Sequence, residues 1–339
     1  MGSNRACVTR WSPRVGGARR AGRCGEGVEE CPRDGDGVVP PSARRPPWPR
    51  AERTPPLNRN VGDVNAFRPF RIEDAADWIT PPEPDTDKYG RGVLGIATGS
   101  SAYPGAAVIG VDAAVHTGVG MVRYVGPERA TDFVLARRPE VVSGVGRVQA
   151  WLVGSGTNAD ALDAETREGL AHASDDGVPV VVDAGALGAV DLGPAAVLTP
   201  HAGELAKLLG VDRAAVQADP RGSARRAADR TGSTVLLKGR ITHVATPDGG
   251  PSFTADSATP WLAAAGAGDA LGGVLGALVA TRAARGPLTP TDLAHLAAAA
   301  AVLHGTAAVR ASDGGPFTMT SLAEHVSRVV ADLATGRTV

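Results

Sequence analysis

The chain has 339 residues, 43% of them hydrophobic, and a formal net charge of −1. This length and apolar content suit one large α/β domain or two small ones, and the near-zero charge gives no reason to expect nucleic acid as a partner. No run of eighteen apolar residues is free of charged or helix-breaking residues, so we expect no membrane span.

Residues 1–60 differ in composition from the rest of the chain. They hold twelve Arg, nine Pro and all three cysteines, Cys7, Cys24 and Cys31. Three cysteines supply too few ligands for a zinc site, and the segment shows no periodicity. We therefore expect it to be disordered or a mis-assigned start. The absence of a secretory signal and of cysteines beyond residue 60 favours a cytoplasmic protein.

Residues 61–87 include the Pro-rich stretch Thr80–Pro84 and are predicted to be a lead-in or linker, with the folded domain at 88–335. The strands predicted there are Val93–Thr98, Val119–Val125, Glu140–Val142, Ala150–Val153, Pro179–Val182, Ala196–Leu198 and Thr234–Leu237. The helices with predicted bounds are Pro104–Thr117, Glu128–Ala136, Leu205–Leu209, Ser223–Thr231, Asp292–Val309 and Ser321–Leu333. A late hairpin surrounds Asp248-Gly249-Gly250. This order predicts a three-layer α/β domain with a largely parallel central sheet flanked by helices.

The segment Gly266-Ala267-Gly268-Asp269 directly precedes an apolar run from Ala270 to Ala280. It therefore predicts a glycine-rich turn at a helix N-terminus, where free backbone N–H groups and the helix dipole favour an anion. An Asp in that turn would repel a phosphate, which indicates proton transfer beside one. The alternative is a structural turn in which Asp269 is the N-cap.

Two further polar residues follow predicted strands. Lys238, next to Gly239, is either a partner for nucleotide phosphates or an exposed turn lysine. His201 opens a helix at a strand's C-terminal end, where open α/β sheets bind ligands, and its alternative role is a helix cap. No Gly-Lys pair occurs in the chain, so a nucleotide would bind without a P-loop.

The segment Gly154–Ala159 fits the G-x-G-x-x-G/A pattern of dinucleotide-binding domains, and Asp183 ends the next strand. This pattern is weak evidence, because glycines after parallel strands are common and such a unit usually opens its domain. It leaves an NAD-dependent oxidoreductase as one alternative. The role of Asp183 stays open, with an ordinary position at a strand end favoured.

Five segments form a set with a characteristic order and spacing: Gly-Ser-Ser-Ala-Tyr-Pro-Gly-Ala-Ala (99–107), Val-Val-Asp-Ala-Gly-Ala-Leu (181–187), Leu-Thr-Pro-His-Ala-Gly-Glu (198–204), Leu-Leu-Lys-Gly (236–239) and Ala-Gly-Ala-Gly-Asp-Ala-Leu-Gly-Gly (265–273). The set resembles the ADP-dependent NAD(P)H-hydrate dehydratase family of the ribokinase-like superfamily. The resemblance covers about Lys88 to Leu333, and the Pro-His-x-Gly-Glu and Tyr-Pro-Gly-Ala-Ala segments are its most specific parts.

The resemblance implies a ribokinase-like fold and a repair reaction. The S epimer of hydrated NADH or NADPH is dehydrated, and ADP is consumed to AMP and phosphate. Phosphorylation turns the ring hydroxyl into a better leaving group, with Asp269 as the general base on that hydroxyl. Backbone N–H groups of Gly266 to Gly268 would stabilise the transferred phosphoryl group. Mg²⁺ is expected with the phosphates, but no ligand cluster in the sequence identifies its site.

The resemblance also assigns binding residues by position. Those implied for the adenine nucleotide are Lys238, Gly239, Arg240, Ile241, Thr242, Gly266 and Gly268. Those implied for the hydrated dinucleotide are Ala106, Gly156, His201 and Asp269. On this basis Gly154-Ser155-Gly156 contacts the damaged cofactor and does not form a Rossmann loop. ADP as the donor rests on the resemblance alone, and ATP is an alternative.

The chain departs from the family pattern in two places. Many members carry a fused epimerase domain, which residues 1–60 do not resemble, so we expect a separate epimerase. Ala267 stands where Thr or Ser is commoner, which would remove a phosphate contact worth about 0.5–1.5 kcal/mol.

Similar proteins form tetramers, so a homo-oligomer is expected. The rivals are a small-molecule kinase of the same superfamily, acting on a hydroxymethyl-pyrimidine, thiazole or sugar alcohol, and a nucleotide-binding protein without activity.

Overall fold

A computed structural model describes residues 66–158, 162–187 and 193–339 of the chain. The prediction of disorder or a mis-assigned start for residues 1–60 lies outside the described residues. Within the described ranges the strands are β1 Arg68–Pro69, β2 Val93–Ala97, β3 Met121–Tyr124, β4 Val142–Ser143, β5 Ala150–Val153, β6 Val180–Val182, β7 Ala196–Leu198, β8 Thr234–Leu237, β9 Thr242–Ala245 and β10 Phe253–Ala255. The α-helices are α1 Pro104–Thr117, α2 Glu128–Arg137, α3 Ala164–Asp175, α4 Ala202–Leu209, α5 Arg213–Ala218, α6 Pro220–Thr231, α7 Ala267–Ala283, α8 Pro290–Ser312 and α9 Met319–Ala334.

The strands form one sheet in the order β1-β10-β9-β8-β7-β6-β5-β2-β3-β4. From β8 to β4 every neighbouring pair is parallel, whereas β9 runs antiparallel to both β8 and β10. The predicted late hairpin is therefore β9–β10. Because the central strands are parallel, their carboxyl ends meet at one edge of the sheet, where open α/β sheets bind ligands.

Hydrophobic cores lie on both faces of the sheet. Along β5, Ala150 and Leu152 point into one core and Trp151 and Val153 into the other, as the two-residue period of a strand requires. The first core takes apolar residues from α1, α7, α8 and α9, and the second from α3, α4, α5 and α6. The predicted three-layer α/β architecture is thereby confirmed.

The folded region extends upstream of Lys88. β1 pairs with β10, and Phe70, Ala75 and Ile79 are buried in the first core. Residues 68–79 of the predicted lead-in therefore belong to the sheet and its core. A two-residue strand and a six-residue 3₁₀ helix over Glu73–Trp78 are too short to show a hydrophobic period, which is why they could not be predicted from the sequence.

Helix α8 is the one helix of the described ranges that is long and apolar enough to cross a membrane. However, 78% of its apolar window is buried inside the domain, which is the behaviour of a central core helix. Its apolar character follows from its place between neighbouring elements, with its central residues Leu296 to Leu303 in the first core.

A buried ion-pair cluster joins α1 to α2, away from the carboxyl edge of the sheet. Asp112 on α1 is 1% exposed and accepts hydrogen bonds from Arg137 and Arg138 at the end of α2. Such a paired buried carboxylate stabilises helix packing only while its partners remain.

Candidate active site

The predicted glycine-rich turn lies at the N-terminus of α7. Gly266 is the N-cap with a φ of +90°, and a β-carbon there would approach Ile109 Cδ1 to 2.6 Å. Only glycine fits this position without strain. Asp269 is the third residue of the helix and so is not the N-cap, which removes the purely capping alternative. The N–H groups of this first turn lack intrahelical partners and are suited to bind an anion, and anion binding here stays a prediction.

Close helix packing holds this turn in place. A β-carbon on Gly273 of α7 would collide with the Gly110 carbonyl of α1, so the two helices are in backbone contact. One turn earlier, a β-carbon on Gly110 would lie 3.4 Å from the Asp269 carbonyl oxygen. His304 of α8 is buried and hydrogen bonds to the backbone of Ala267, and burial lowers its pKa to about 4, so it is neutral near pH 7.

The Asp269 carboxyl group has a pKa suited to proton transfer. Burial, and to a smaller extent the nearby Asp183 carboxylate, raise this pKa from 3.8 to about 6, and the Lys238 ammonium group opposes the rise. A carboxylate with a pKa of about 6 is largely ionised near pH 7 and is a stronger base than an ordinary Asp. Its position in the first turn of α7 places this base beside the anion site.

Asp183 lies at the centre of the carboxyl edge of the sheet. Its side chain accepts hydrogen bonds from Ser155 Oγ at 2.9 Å, Thr199 Oγ1 at 2.8 Å and Lys238 Nζ at 2.6 Å. These four residues follow β6, β5, β7 and β8, which are consecutive neighbours in the sheet. The sequence favoured an ordinary position at a strand end for Asp183, whereas the structure brings this residue into one cluster with Lys238, next to the turn of Asp269.

Lys238 joins this carboxylate cluster to the turn of α7. A β-carbon on Gly268 would lie 3.4 Å from Lys238 Nζ, so the ammonium group sits against the turn. The backbone N–H of Lys238 donates to the Pro200 carbonyl at 2.8 Å, which fixes the base of the side chain. Lys238 is therefore a partly buried ion-paired residue and not an exposed turn lysine, because its side chain is 19% exposed.

The remaining residues predicted for the nucleotide form the connection from β8 to β9. Gly239, Arg240 and Ile241 lie between these strands, and Thr242 is the first residue of β9. The Arg240 guanidinium group is exposed and pairs with Asp256 at 3.3 Å. This connection leaves the carboxyl end of β8 immediately after Lys238, so it borders the site.

Ala106 and Gly156, both predicted for the dinucleotide, are in direct contact. A β-carbon on Gly156 would collide with that of Ala106, and Gly99 N donates to the Ser155 carbonyl at 2.6 Å. The first turn of α1 therefore packs on the loop after β5. Helix α3 begins only at Ala164, so the glycines do not open a helix as a Rossmann phosphate loop does. Ala159, the last residue of that pattern, lies outside the described residues.

His201 is the N-cap of α4. Its Nδ1 accepts hydrogen bonds from Gly203 N and Glu204 N at 2.9 and 3.1 Å, and the Glu204 carboxylate accepts one from His201 N. This capping box gives the residue a structural role. The ring is 59% exposed and His201 pairs by backbone with Lys238, so it also lies at the carboxyl edge. Its predicted contact with the dinucleotide stays a prediction.

A model of the NAD(P)H-hydrate dehydratase family matches residues 94–330, which include all five motifs and the cluster around Asp183. The chain belongs to the NAD(P)H-hydrate dehydratase family. This confirms the resemblance drawn from the motifs.

Curated relatives carry dehydratase names. The chain is 44% identical over 226 residues to the bifunctional NAD(P)H-hydrate repair enzyme Nnr of Mycobacterium tuberculosis, covering 62% of this chain and 46% of that one. It is 34% identical over 242 residues to the ADP-dependent (S)-NAD(P)H-hydrate dehydratase of Neisseria meningitidis, covering 66% and 78%. The chain thus spans about half the length of the bifunctional relatives it matches.

A solved structure shares the fold. It is the ADP/ATP-dependent NAD(P)H-hydrate dehydratase from Bacillus subtilis co-crystallised with ATP and Mg²⁺, with a TM-score of 0.69 at 22% identity. The match covers 79% of this chain and 99% of that chain. At this identity the likeness shows a shared fold alone, and the chemistry must be argued from the residues of this chain.

The described residues contain no group of three His, Cys, Asp or Glu side chains that could form a metal cage. Mg²⁺ in proteins usually keeps several waters and is held by one or two carboxylates together with substrate phosphates. We therefore assign no protein ligand set to a metal and derive no step through one.

Proposed function

We propose that this chain dehydrates the S epimer of hydrated NADH or NADPH in a reaction coupled to the conversion of ADP to AMP and phosphate. The observation that carries the proposal is the placement of Asp269. Its carboxylate has a pKa raised to about 6 and lies in the first turn of α7, against which the Lys238 ammonium group packs. A base beside an anion site is what transfer of a phosphoryl group to a hydroxyl requires.

In the first step, Asp269 takes the proton of the ring hydroxyl while that oxygen attacks the β-phosphorus of ADP, and AMP leaves. The backbone N–H groups of the α7 turn and the Lys238 ammonium group stabilise the charge that develops on the transferred phosphoryl oxygens. In the second step, the ring nitrogen expels phosphate, and loss of a neighbouring ring proton restores the dihydronicotinamide. Mg²⁺, when bound with the phosphates, supplies further charge neutralisation.

The other predicted residues have roles that follow from their positions. The β8–β9 connection of Gly239 to Thr242 is placed to border the adenine nucleotide, since it begins directly after Lys238. Ala106 and Gly156 are proposed to contact the hydrated dinucleotide, and in support of this the two residues are in direct contact where the first turn of α1 packs on the loop after β5. ADP as donor is supported by the name of the Neisseria meningitidis relative. Cytoplasmic location, a homo-oligomer and a separate epimerase stay predictions.

The test is recovery of reduced nicotinamide absorbance by the full-length protein incubated with hydrated NADH and Mg²⁺, with ADP, with ATP or with no nucleotide. We expect recovery with ADP, one AMP and one phosphate for each NADH formed, and none without nucleotide. Asp269→Asn is the matched inactive control. No recovery with either nucleotide in a protein shown to be folded would reject the proposal in favour of a small-molecule kinase, to be assayed by ATP-dependent phosphorylation of a hydroxymethyl-pyrimidine or a thiazole alcohol.

A further inference from the structure

The Asp183 carboxylate is buried, with 3% of the residue exposed, yet it sits within the cluster of charged groups at the carboxyl edge. Both of its oxygens are used: Oδ2 accepts from Ser155, and Oδ1 accepts from Thr199 and Lys238. A buried carboxylate is tolerated when it is paired and hydrogen bonded in this way. The arrangement leaves the carboxylate in one orientation, facing Lys238.

The Lys238 side chain is constrained at both ends by these contacts. Its backbone is bonded to Pro200, and its ammonium group is bonded to Asp183 at 2.6 Å and packed against Gly268. A free lysine has four rotatable bonds and loses rotamer freedom when it is ordered on a ligand. Pairing with Asp183 orders the ammonium group before a phosphate arrives, so less entropy is lost on binding.

Asp183 also acts on Asp269 through its charge. Lys238 Nζ donates to Asp183 Oδ1 at 2.6 Å and packs against Gly268, the residue directly before Asp269, so both charged groups lie near the turn that carries Asp269. The other elements packed against its turn present Gly110 and Ile109 of α1 and Met319 of α9, which are uncharged, and the neutral His304 of α8. The Asp183 carboxylate therefore disfavours ionisation of Asp269, and the Lys238 ammonium group favours it.

We propose that Asp183 is a positioning residue of this site, which holds the Lys238 ammonium group at the α7 turn and keeps a second negative charge beside Asp269. The expected effect of Asp183 on turnover rests on the proposed function. Its expected effect on the charge of Asp269 does not, because that effect can be measured in the free protein. Asp183 need not touch either substrate to exert both effects.

The first test is the pH dependence of ADP-dependent turnover in Asp183→Asn, which keeps the shape of the side chain and removes its charge. We expect the acid limb of the profile, set by Asp269, to move to lower pH by about one unit, since nearby charges shift a pKa by this order. Asp112→Asn is the matched control, because it removes another buried, ion-paired carboxylate outside the site. It should leave the acid limb in place. An unchanged acid limb in folded Asp183→Asn would overturn the proposal.

The second test is a double-mutant cycle between Asp183→Asn and Lys238→Met, measured at a pH above both acid limbs. If Asp183 acts by holding Lys238, each single variant should lose on the order of 10-fold to 100-fold in kcat/KM for ADP, as expected for a misplaced group. The double variant should then lose no more than the worse single variant. Losses that multiply would overturn the claim that Asp183 acts through Lys238.

A third measurement separates this inference from the proposed function. The titration of the Asp269 carboxyl carbon is followed by NMR in the free protein, with and without Asp183→Asn, and needs no substrate. A lowered midpoint together with a wild-type protein that does not restore NADH would reject the proposed function and support the electrostatic role of Asp183. An unchanged midpoint would overturn that role, whatever the activity.

Discussion

Replacing Asp269 by Asn should abolish turnover and stabilise the fold at the same time. The pKa of this carboxyl group rises from 3.8 to about 6 because it is desolvated in the native state and lies near Asp183. Each pKa unit corresponds to about 1.4 kcal/mol, so the ionised carboxylate costs the native state about 3 kcal/mol above pH 6. Asparagine carries no charge but retains a polar amide, and we therefore expect a gain of about 1–3 kcal/mol in the free energy of unfolding at pH 8.

The sign of this effect depends on pH. The native pKa lies above the unfolded value of 3.8, so between pH 3.8 and about 6 the native state holds its proton while the unfolded chain has lost it. The contribution of Asp269 to stability therefore becomes less favourable as pH rises through this window, and the full penalty is present above it. Below pH 3.8 both states are protonated, and the stabilising effect of Asp269→Asn should vanish.

The assay is urea unfolding of wild-type protein and Asp269→Asn at pH 8 and at the lowest pH that leaves the fold intact, together with turnover at pH 8. Turnover should fall by about 10²–10⁴-fold with ADP binding retained, the range expected for loss of a general base. Asp112→Asn is the opposite control: its carboxylate pairs with Arg137 and Arg138, so its loss should destabilise the fold. Near-normal turnover would refute the base role, and equal stability at pH 8 would refute the desolvation argument.

The remaining predictions concern the same edge of the sheet. Wild-type turnover should fall about tenfold from pH 7 to pH 5 because Asp269 becomes protonated, and a flat profile over this range would exclude a base with a pKa of about 6. Lys238→Ala should weaken ADP binding mainly, measured by calorimetric titration; a change confined to turnover would contradict this. Gly268→Ala should fold, since its methyl group would lie 3.4 Å from Lys238 Nζ, yet bind ADP less tightly. Gly273→Val should lower the free energy of unfolding by about 1–3 kcal/mol or more in urea melts, because it would push α7 away from Gly110.

Most of the architecture was predictable from local sequence. Buried parallel strands are short continuous apolar runs followed by glycine or a polar residue, and Ala150–Val153 appears in the structure with the predicted bounds. The predicted Glu140–Val142 strand was displaced to Val142–Ser143, where pairing with β3 decides its extent. The strand Arg68–Pro69 could not be predicted, because two residues carry no period and the pairing with Phe253 and Thr254 is distant in the chain.

Site residues that lie together on one short segment of the chain could be predicted from the sequence. The turn from Gly266 to Asp269 and the Lys238-Gly239 pair each lie on one short segment, so their spacing predicts a candidate anion site with a base, with a structural turn as the alternative. The tertiary structure decided which groups face one another. Asp183 meets Ser155, Thr199 and Lys238 only because β5, β6, β7 and β8 are neighbours in one parallel sheet. The raised pKa of Asp269 has the same origin, since burial and a second carboxylate depend on packing between distant segments.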